Sequence, residues 1–289
     1  MNLENLFRKG RTAIITGGAN GIGLATAKRL AARGMSVCIA DIDAAQLARA
    51  GAELEAFDAE CLCVQTDVSD FDSVAALRET AQARFDDIAL VMNNAGIGAG
   101  GGAFTNLDGW RKVLSVNLWG VIHGVHAFVP MLIEQGRPAV VINTGSKQGI
   151  TNPPGNAAYN VAKAGVRSLT ESLAHELRNL DNCQVSAHLL VPGFTYTGLI
   201  RKHISEKPDA AWTPEQVADY MLERLANDDF YILCPDNDVS VELDYKRIEW
   251  NTQDIVQNRP ALSRWHPDYA DAFESFIQDK IQNKIQDRP

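Results

Sequence analysis

Thr12-Ala13-Ile14-Ile15-Thr16-Gly17-Gly18-Ala19-Asn20-Gly21-Ile22-Gly23 decides the fold of this chain. A β-branched run enters a turn of small residues, and the turn opens Gly21–Arg33, whose pattern predicts a helix that Gly34 stops. Small residues at such a turn let the backbone approach a pyrophosphate, and a helix N-terminus presents free N–H groups to its negative charge. The same glycines also suit a plain structural turn.

Outward from this unit, short β-rich runs alternate with longer helical patterns. Strands are expected at Thr12–Thr16, Ser36–Ala40, Cys61–Gln65, Ile88–Asn93, Ala139–Asn143, Val185–Leu190 and Phe230–Cys234. Helices are expected at Gly21–Arg33, Ala44–Ala56, Ser69–Phe85, Asp108–Glu134, Ala157–Arg178 and Pro214–Leu225, the last opened by the capping box Thr213-Pro214-Glu215-Gln216. That alternation predicts an α/β fold: a doubly wound, mainly parallel, seven-stranded sheet with helices on both faces.

The alternation stops near Asp236. Residues 1–236 read as one nucleotide-binding and catalytic domain with a substrate lid within 194–212, and residues 237–289 as a helical C-terminal extension. Two helices, Val239–Val256 and Asp268–Gln286, flank turn-rich Asn258-Arg259-Pro260 and Trp265-His266-Pro267. Trp250, Trp265, Tyr269 and Phe273 either pack on the main domain or a neighbouring subunit, or cover the pocket.

A net charge of −9 argues against a general nucleic-acid or anionic-membrane surface. Met1–Arg11 has no apolar leader pattern, and no apolar run is expected to reach the roughly 20 residues of a membrane span. A cytoplasmic location is the expectation. The five cysteines suit reduced thiols, and Cys61 and Cys63, alternating on one strand face, lack a second pair at zinc spacing, so no metal is expected. His123 and His126 share a helix face and suit core or interface roles better than ligation.

Chemistry gathers at the strand ends, where open α/β sheets bind ligands. Asp41 ends the second strand, where a carboxylate accepts hydrogen bonds from adenosine ribose hydroxyls; a 2′-phosphate would meet Asp41 and Asp43, which favours NAD(H) over NADP(H). Asp41 can alternatively cap the helix beginning near Ala44. Asp67 and Val68 are placed for adenine, Asn93-Asn94-Ala95-Gly96 for close approach to the cofactor, and Pro192-Gly193-Phe194-Thr195-Tyr196-Thr197 for the nicotinamide amide. Tyr159 and Lys163 stand four apart on one helix face, and an ammonium beside a phenol favours phenolate, making the tyrosine a proton donor or acceptor near neutral pH.

In Thr16-Gly17-x-x-x-Gly21-x-Gly23, Asn93-Asn94-Ala95-Gly96, Asn117, Ser146, Tyr159-x-x-x-Lys163 and Pro192-Gly193, the chain resembles the short-chain dehydrogenase/reductase family over about residues 8–200. The resemblance implies a Rossmann-type sheet, a homodimer or homotetramer, and a small-molecule alcohol or ketone substrate. It also implies that Tyr159 is the acid/base, that Ser146 bonds the substrate oxygen, that Lys163 binds nicotinamide ribose and lowers the tyrosine pKa, and that Asn117 supports a proton-relay water. The nucleotide would rest on Gly17, Asn20, Gly21, Ile22, Gly23, Asp41, Asp67, Val68, Asn94, Ala95, Gly96, Tyr159, Lys163, Pro192, Gly193, Thr195 and Thr197.

Departures from the family pattern bear on substrate. Lys147 follows Ser146 where small residues are frequent, and reads as a solvated or interface lysine or as an anchor for an acidic substrate. Gln148, Phe194, Tyr196 and Leu199 are candidate pocket walls, and Gly96–Gly102 a mobile loop. Phe230–Asp236 and the extension replace the family's glycine-rich ending and resemble members acting on bulky, often aromatic, secondary alcohols. An NAD-dependent alcohol dehydrogenase is the leading reading, beside an NADPH-dependent carbonyl reductase and a non-catalytic dinucleotide-binding sensor.

Overall fold

The seven expected strands pair side by side in the order β3-β2-β1-β4-β5-β6-β7, every pair parallel, in a computed structural model that describes residues 3–98, 100–201 and 204–286. They are β1 (Thr12–Thr16), β2 (Ser36–Asp41), β3 (Cys61–Gln65), β4 (Ile88–Asn93), β5 (Ala139–Thr144), β6 (Val185–Val191) and β7 (Tyr231–Leu233). β1, β4 and β5 are buried along their whole length, as continuous apolar runs in a parallel sheet covered on both faces should be. β7 is shorter than expected and forms an edge.

Helices α1 (Gly21–Ala31), α2 (Ala44–Leu54), α3 (Phe71–Arg84), α4 (Leu107–Gln135), α5 (Ala157–Asn179) and α6 (Pro214–Ala226) clothe the sheet. Leu30, Leu47, Ala50, Val217 and Met221 of α1, α2 and α6 cover one face, and Val74, Leu77, Val125, Phe128 and Leu173 of α3, α4 and α5 the other. A fully buried Leu, Val or Phe contributes about 1.5–3 kcal/mol. α3 begins two residues later than expected because Asp70 caps it, accepting from the Asp72 N–H, while Ser69 turns back to Asp67.

α4 is longer and more apolar than expected. Leu107–Gln135 is long and apolar enough to cross a membrane by length and composition alone, yet over half of its most apolar stretch is buried in the protein, with one face on the sheet. Ser115–Trp119 within it forms a π-turn. Three short helices, Leu3–Leu6, Gln148–Thr151 and Gly198–Arg201, were not expected.

The extension comprises α7 (Val241–Val256, capped by Ser240) and α8 (Ala270–Gln286). Three of its aromatics cluster: the Trp250 ring lies 5.2 Å from Phe273 and 5.3 Å from Phe276, with Arg259 stacked at 3.9 Å. Trp250 Nε1 donates to Ser263 Oγ at 2.8 Å, so this small cluster is also polar-satisfied. α7 reaches the main body through Ile248, which packs beside Val191 and Leu233, and through Asn251 Nδ2, which donates to the Ile150 carbonyl at 3.2 Å.

Candidate active site

The glycines of the first turn have two different jobs. Gly17 adopts φ 62°, and a Cβ there would lie 2.8 Å from Ala95 Cα; one on Gly23 would lie 2.4 Å from the Gly17 carbonyl oxygen. Both are required by the turn's own packing on the end of β4. Gly21, at φ 55°, would meet only the Thr197 side chain, at 3.3 Å. It opens α1, whose N-cap Asn20 makes no side-chain capping bond; Asn20 Nδ2 donates instead to Gln46 Oε1 at 2.8 Å. The first N–H groups of α1, with Ile22 and Gly23 behind Gly21, are therefore left for an anion.

Asn94 locks this turn. Its Nδ2 donates to the carbonyls of Thr16 at 3.1 Å and Gly17 at 3.3 Å, and its Oδ1 accepts from Thr144 Oγ1 at 3.3 Å. The N–H groups of Asn94 and Ala95 both donate to Thr16 Oγ1. The Asn94 side chain thus joins β1, β4 and β5, a scaffold role that the sequence did not reveal.

At the end of β2, Asp43 caps α2 by accepting from the Gln46 N–H at 3.0 Å, which leaves Asp41 for another task. Asp41 stands beside the glycine turn, accepting from the N–H groups of Ala19 at 3.3 Å and Asp43 at 3.2 Å. Its carboxylate and the open helix N-terminus together fit an adenosine ribose followed by a pyrophosphate. Asp67 accepts from the Ser69 N–H and hydroxyl at 2.9 and 2.7 Å, and the Val68 carbonyl lies 2.8 Å from His123 Nδ1.

The catalytic candidates converge at the end of β5 and the first turns of α5. Asn156 caps α5 by accepting from the Tyr159 N–H, fixing where that residue enters the helix. The Tyr159 hydroxyl is near enough to Ser146 for that side chain to draw its pKa down, and Ser146 Oγ accepts from the Gln148 N–H at 3.2 Å. One turn along α5, Lys163 Nζ donates to the Thr144 carbonyl at 2.7 Å and lies 5.8 Å from the Tyr159 ring centre. Burial pushes the tyrosine above its ordinary range against the lowering effect of Ser146, and burial draws Lys163 down to about 8. In the chain alone, therefore, desolvation outweighs the phenolate-favouring effect expected of the lysine.

Asn117 is fully buried in the π-turn, a local widening that often marks functional sites. Its Oδ1 accepts from the Ile97 N–H at 2.8 Å and its Nδ2 donates to the Ile97 carbonyl at 2.9 Å. This ties α4 to the segment after β4. The glycine run that follows is held rather than loose: the carbonyls of Gly100, Gly101 and Gly102 accept from Asn106 Nδ2, the Ala158 N–H and Trp110 Nε1. Ala99 lies outside the described residues.

The expected pocket walls separate. Gln148 is exposed, Phe194 and Leu199 are half-buried, and Tyr196 is buried with its hydroxyl donating to the carbonyls of Ile204 and Ser205 at 3.1 and 2.6 Å. Tyr196 thus braces the backbone at Ile204 and Ser205. Thr195 bridges to Trp212 and donates to the Gly193 carbonyl, while Thr197 lies over Gly21. Lys147 is neither solvated nor aimed at an acidic substrate: its Nζ lies 2.5 Å from Asp244 Oδ2 and 3.3 Å from Asp236 Oδ2. Those partners lie far along the chain, and no local pattern announces them.

Comparison with known proteins agrees with this geometry. The family model described as short chain dehydrogenase matches residues 11–208. A 1-deoxy-11-beta-hydroxypentalenate dehydrogenase of Streptomyces arenae is 37% identical over 229 residues, covering 77% of this chain and 81% of its own. A cis-4-hydroxycyclohexanecarboxylate dehydrogenase of Sinomonas cyclohexanicum is 37% identical over 195 residues, 66% of this chain and 75% of its own. A short chain dehydrogenase/reductase from Burkholderia phymatum, solved in complex with NAD, superposes with a TM-score of 0.78 at 33% identity, over 87% of this chain and 96% of its own.

Proposed function

Because the chain belongs to the short-chain dehydrogenase family, as an NAD(P)-dependent alcohol dehydrogenase, we propose that it interconverts a bulky secondary alcohol and its ketone with NAD(H), Tyr159 acting as acid/base. The observation that carries the reading is the convergence of Ser146 and Tyr159 with the buried ammonium of Lys163, one helical turn away, which donates to the Thr144 carbonyl. When bound, the nucleotide supplies the hydride acceptor for oxidation and the donor for reduction. Ser146 and Tyr159 hold the alcohol oxygen between them, and Tyr159 takes its proton as the carbinol hydrogen departs. General-base assistance of this kind is worth about 10²–10⁴-fold.

Lys163, Thr144 and Asn117 position that pair. Gly21, Ile22 and Gly23 at the α1 N-terminus hold the pyrophosphate; Asp41 accepts from the ribose hydroxyls; Asp67 and Val68 border the adenine; Ala95 and Gly96 border the nicotinamide ribose; Pro192, Gly193, Thr195 and Thr197 border the nicotinamide. NAD rather than NADP follows from charge: a 2′-phosphate would face Asp41 and Asp43 together. The names of the Streptomyces and Sinomonas relatives carry hydroxylated substrates, which supports a ring-bearing secondary alcohol. Assembly as a homodimer or homotetramer belongs to the same reading, supported by Trp119 and Val161, 53% and 47% exposed on α4 and α5.

Absorbance of the reduced nicotinamide tests it, with NAD⁺ or NADP⁺ against cyclic, aryl, steroid and aliphatic secondary alcohols. Turnover with NAD⁺ on a bulky ring alcohol is expected. Activity confined to NADP⁺ overturns the cofactor assignment, and NADH binding without turnover across the panel overturns the catalytic one.

A further inference from the structure

Lys147 occupies the position after Ser146, yet its ammonium belongs to a buried charge cluster built by the C-terminal extension. Its Nζ contacts Asp244 Oδ2 of α7 at 2.5 Å and Asp236 Oδ2, just after β7, at 3.3 Å; the three side chains are 16%, 5% and 7% exposed. Asp236 Oδ2 also accepts the Phe194 N–H at 3.2 Å, and the Lys147 N–H reaches the Pro192 carbonyl at 3.4 Å. A Cβ on Gly193 would lie 2.8 Å from Lys147 Nζ and 2.9 Å from Asp236 Oδ2, so the backbone of residues 192–194 lies flat against the ion pair. Arg247 Nη1 stands 3.8 Å from the other oxygen of Asp244, balancing the second carboxylate.

A buried ion pair adds little net stability, since desolvation offsets most of the attraction, but its short range and fixed partners set position. Here the ion pair joins two neighbouring segments at the site: Lys147 directly follows Ser146, and Asp236 accepts from the Phe194 N–H of the Pro192–Phe194 turn. The geometry assigns to Lys147, Asp236 and Asp244 a positioning role, in which the C-terminal extension holds the Ser146 segment and the Pro192–Phe194 turn in register for hydride transfer. The assignment rests on the dehydrogenase reading above. It also removes Lys147 as an anchor for a substrate carboxylate.

The test compares wild type with Asp244→Asn and with the charge-balanced pair Lys147→Met/Asp244→Asn. Each is melted first and then assayed well below its own midpoint. A misplacement of about 1 Å costs on the order of 10²-fold in rate. Both variants are therefore expected to fold, to lose tenfold or more in kcat with KM changed less than threefold, and to bind NADH several-fold more weakly by its fluorescence. The pH at half-maximal kcat/KM stays where it is in the wild type, because the Tyr159–Lys163 pair is untouched. Variants that keep kcat and the NADH dissociation constant within twofold of wild type overturn the assignment, and so do variants that fail to fold, which would make the cluster purely a stability element. If the wild type binds NADH but turns over no alcohol, the dehydrogenase reading fails by itself, and the NADH constant still decides whether the cluster sets the Pro192–Phe194 turn.

Discussion

Lys163 Nζ donates to the Thr144 carbonyl at 2.7 Å in a position where the residue is 4% exposed, so the ammonium is largely withdrawn from bulk solvent. Burial disfavours the charged form and lowers this lysine from 10.5 to about 8.

Lys163→Met should therefore raise thermal stability while abolishing turnover. Between about pH 8 and 10.5 the folded chain binds fewer protons than the unfolded one, so wild-type stability rises with pH across that window and the full penalty is present below it. Allowing for the hydrogen bond lost at Thr144, the variant gains about 1–3 kcal/mol at pH 7. Melting curves at pH 7 and pH 10 check this: the variant's advantage should shrink at the higher pH, and parallel behaviour would show that Lys163 does not titrate there.

Tyr159→Phe should reduce turnover by about 10²–10⁴-fold while leaving NADH binding within a few-fold of wild type, since only the proton route is removed. Burial raises the tyrosine, so phenolate is scarce at neutral pH. Alcohol oxidation, which needs phenolate, should accelerate as pH rises from 6 to 10, and ketone reduction, which needs the phenol, should slow. Steady-state rates in both directions over that range are the measurement, and an oxidation rate that is flat in pH would remove Tyr159 from the role.

The strands were legible because a parallel sheet covered on both faces demands unbroken apolar runs, and Ile88–Asn93 or Ala139–Thr144 can be little else. Tyr159 and Lys163 were legible because helical spacing alone puts them on one face. Lys147 was misread for the opposite reason: Asp236 and Asp244 reach it from the extension, and nothing near Ser146 records that. The hydroxyl of Tyr196 on the Ile204 and Ser205 carbonyls was not legible either, because no spacing in the sequence records which backbone carbonyls a loop tyrosine will reach. The Gly100–Gly102 segment looked loose because glycine suggests freedom, whereas its carbonyls are claimed by side chains and an N–H from elsewhere in the site.

Two glycines of one turn should fail in different ways when given a methyl group. Gly23→Ala puts a Cβ 2.4 Å from the Gly17 carbonyl oxygen, an overlap with backbone that must cost about 1–3 kcal/mol of stability. Gly21→Ala meets only Thr197 at 3.3 Å and carries the left-handed penalty of about 1–2 kcal/mol, but its methyl occupies the approach to the α1 N-terminus. A melt and an NADH titration on each variant separate the two. Gly21→Ala is expected to lose more binding than stability, and Gly23→Ala to be the less stable in the absence of nucleotide if backbone overlap outweighs strain.

Asp41→Asn isolates the charge that selects the nucleotide. Asp43 is already committed to the α2 cap, and its carboxylate stays in place, so the substitution removes one of two negative charges facing the ribose while keeping an acceptor for its hydroxyls. At an effective dielectric near 20, two charges about 4 Å apart repel by roughly 4 kcal/mol, and exposure to solvent reduces this to about a quarter. The ratio of kcat/KM for NAD⁺ over NADP⁺ should then fall by about tenfold, mostly through better use of NADP⁺, with kcat on NAD⁺ within a few-fold of wild type. A ratio left unchanged would mean that Asp41 serves the glycine turn through Ala19 alone and that shape, not charge, sets the cofactor.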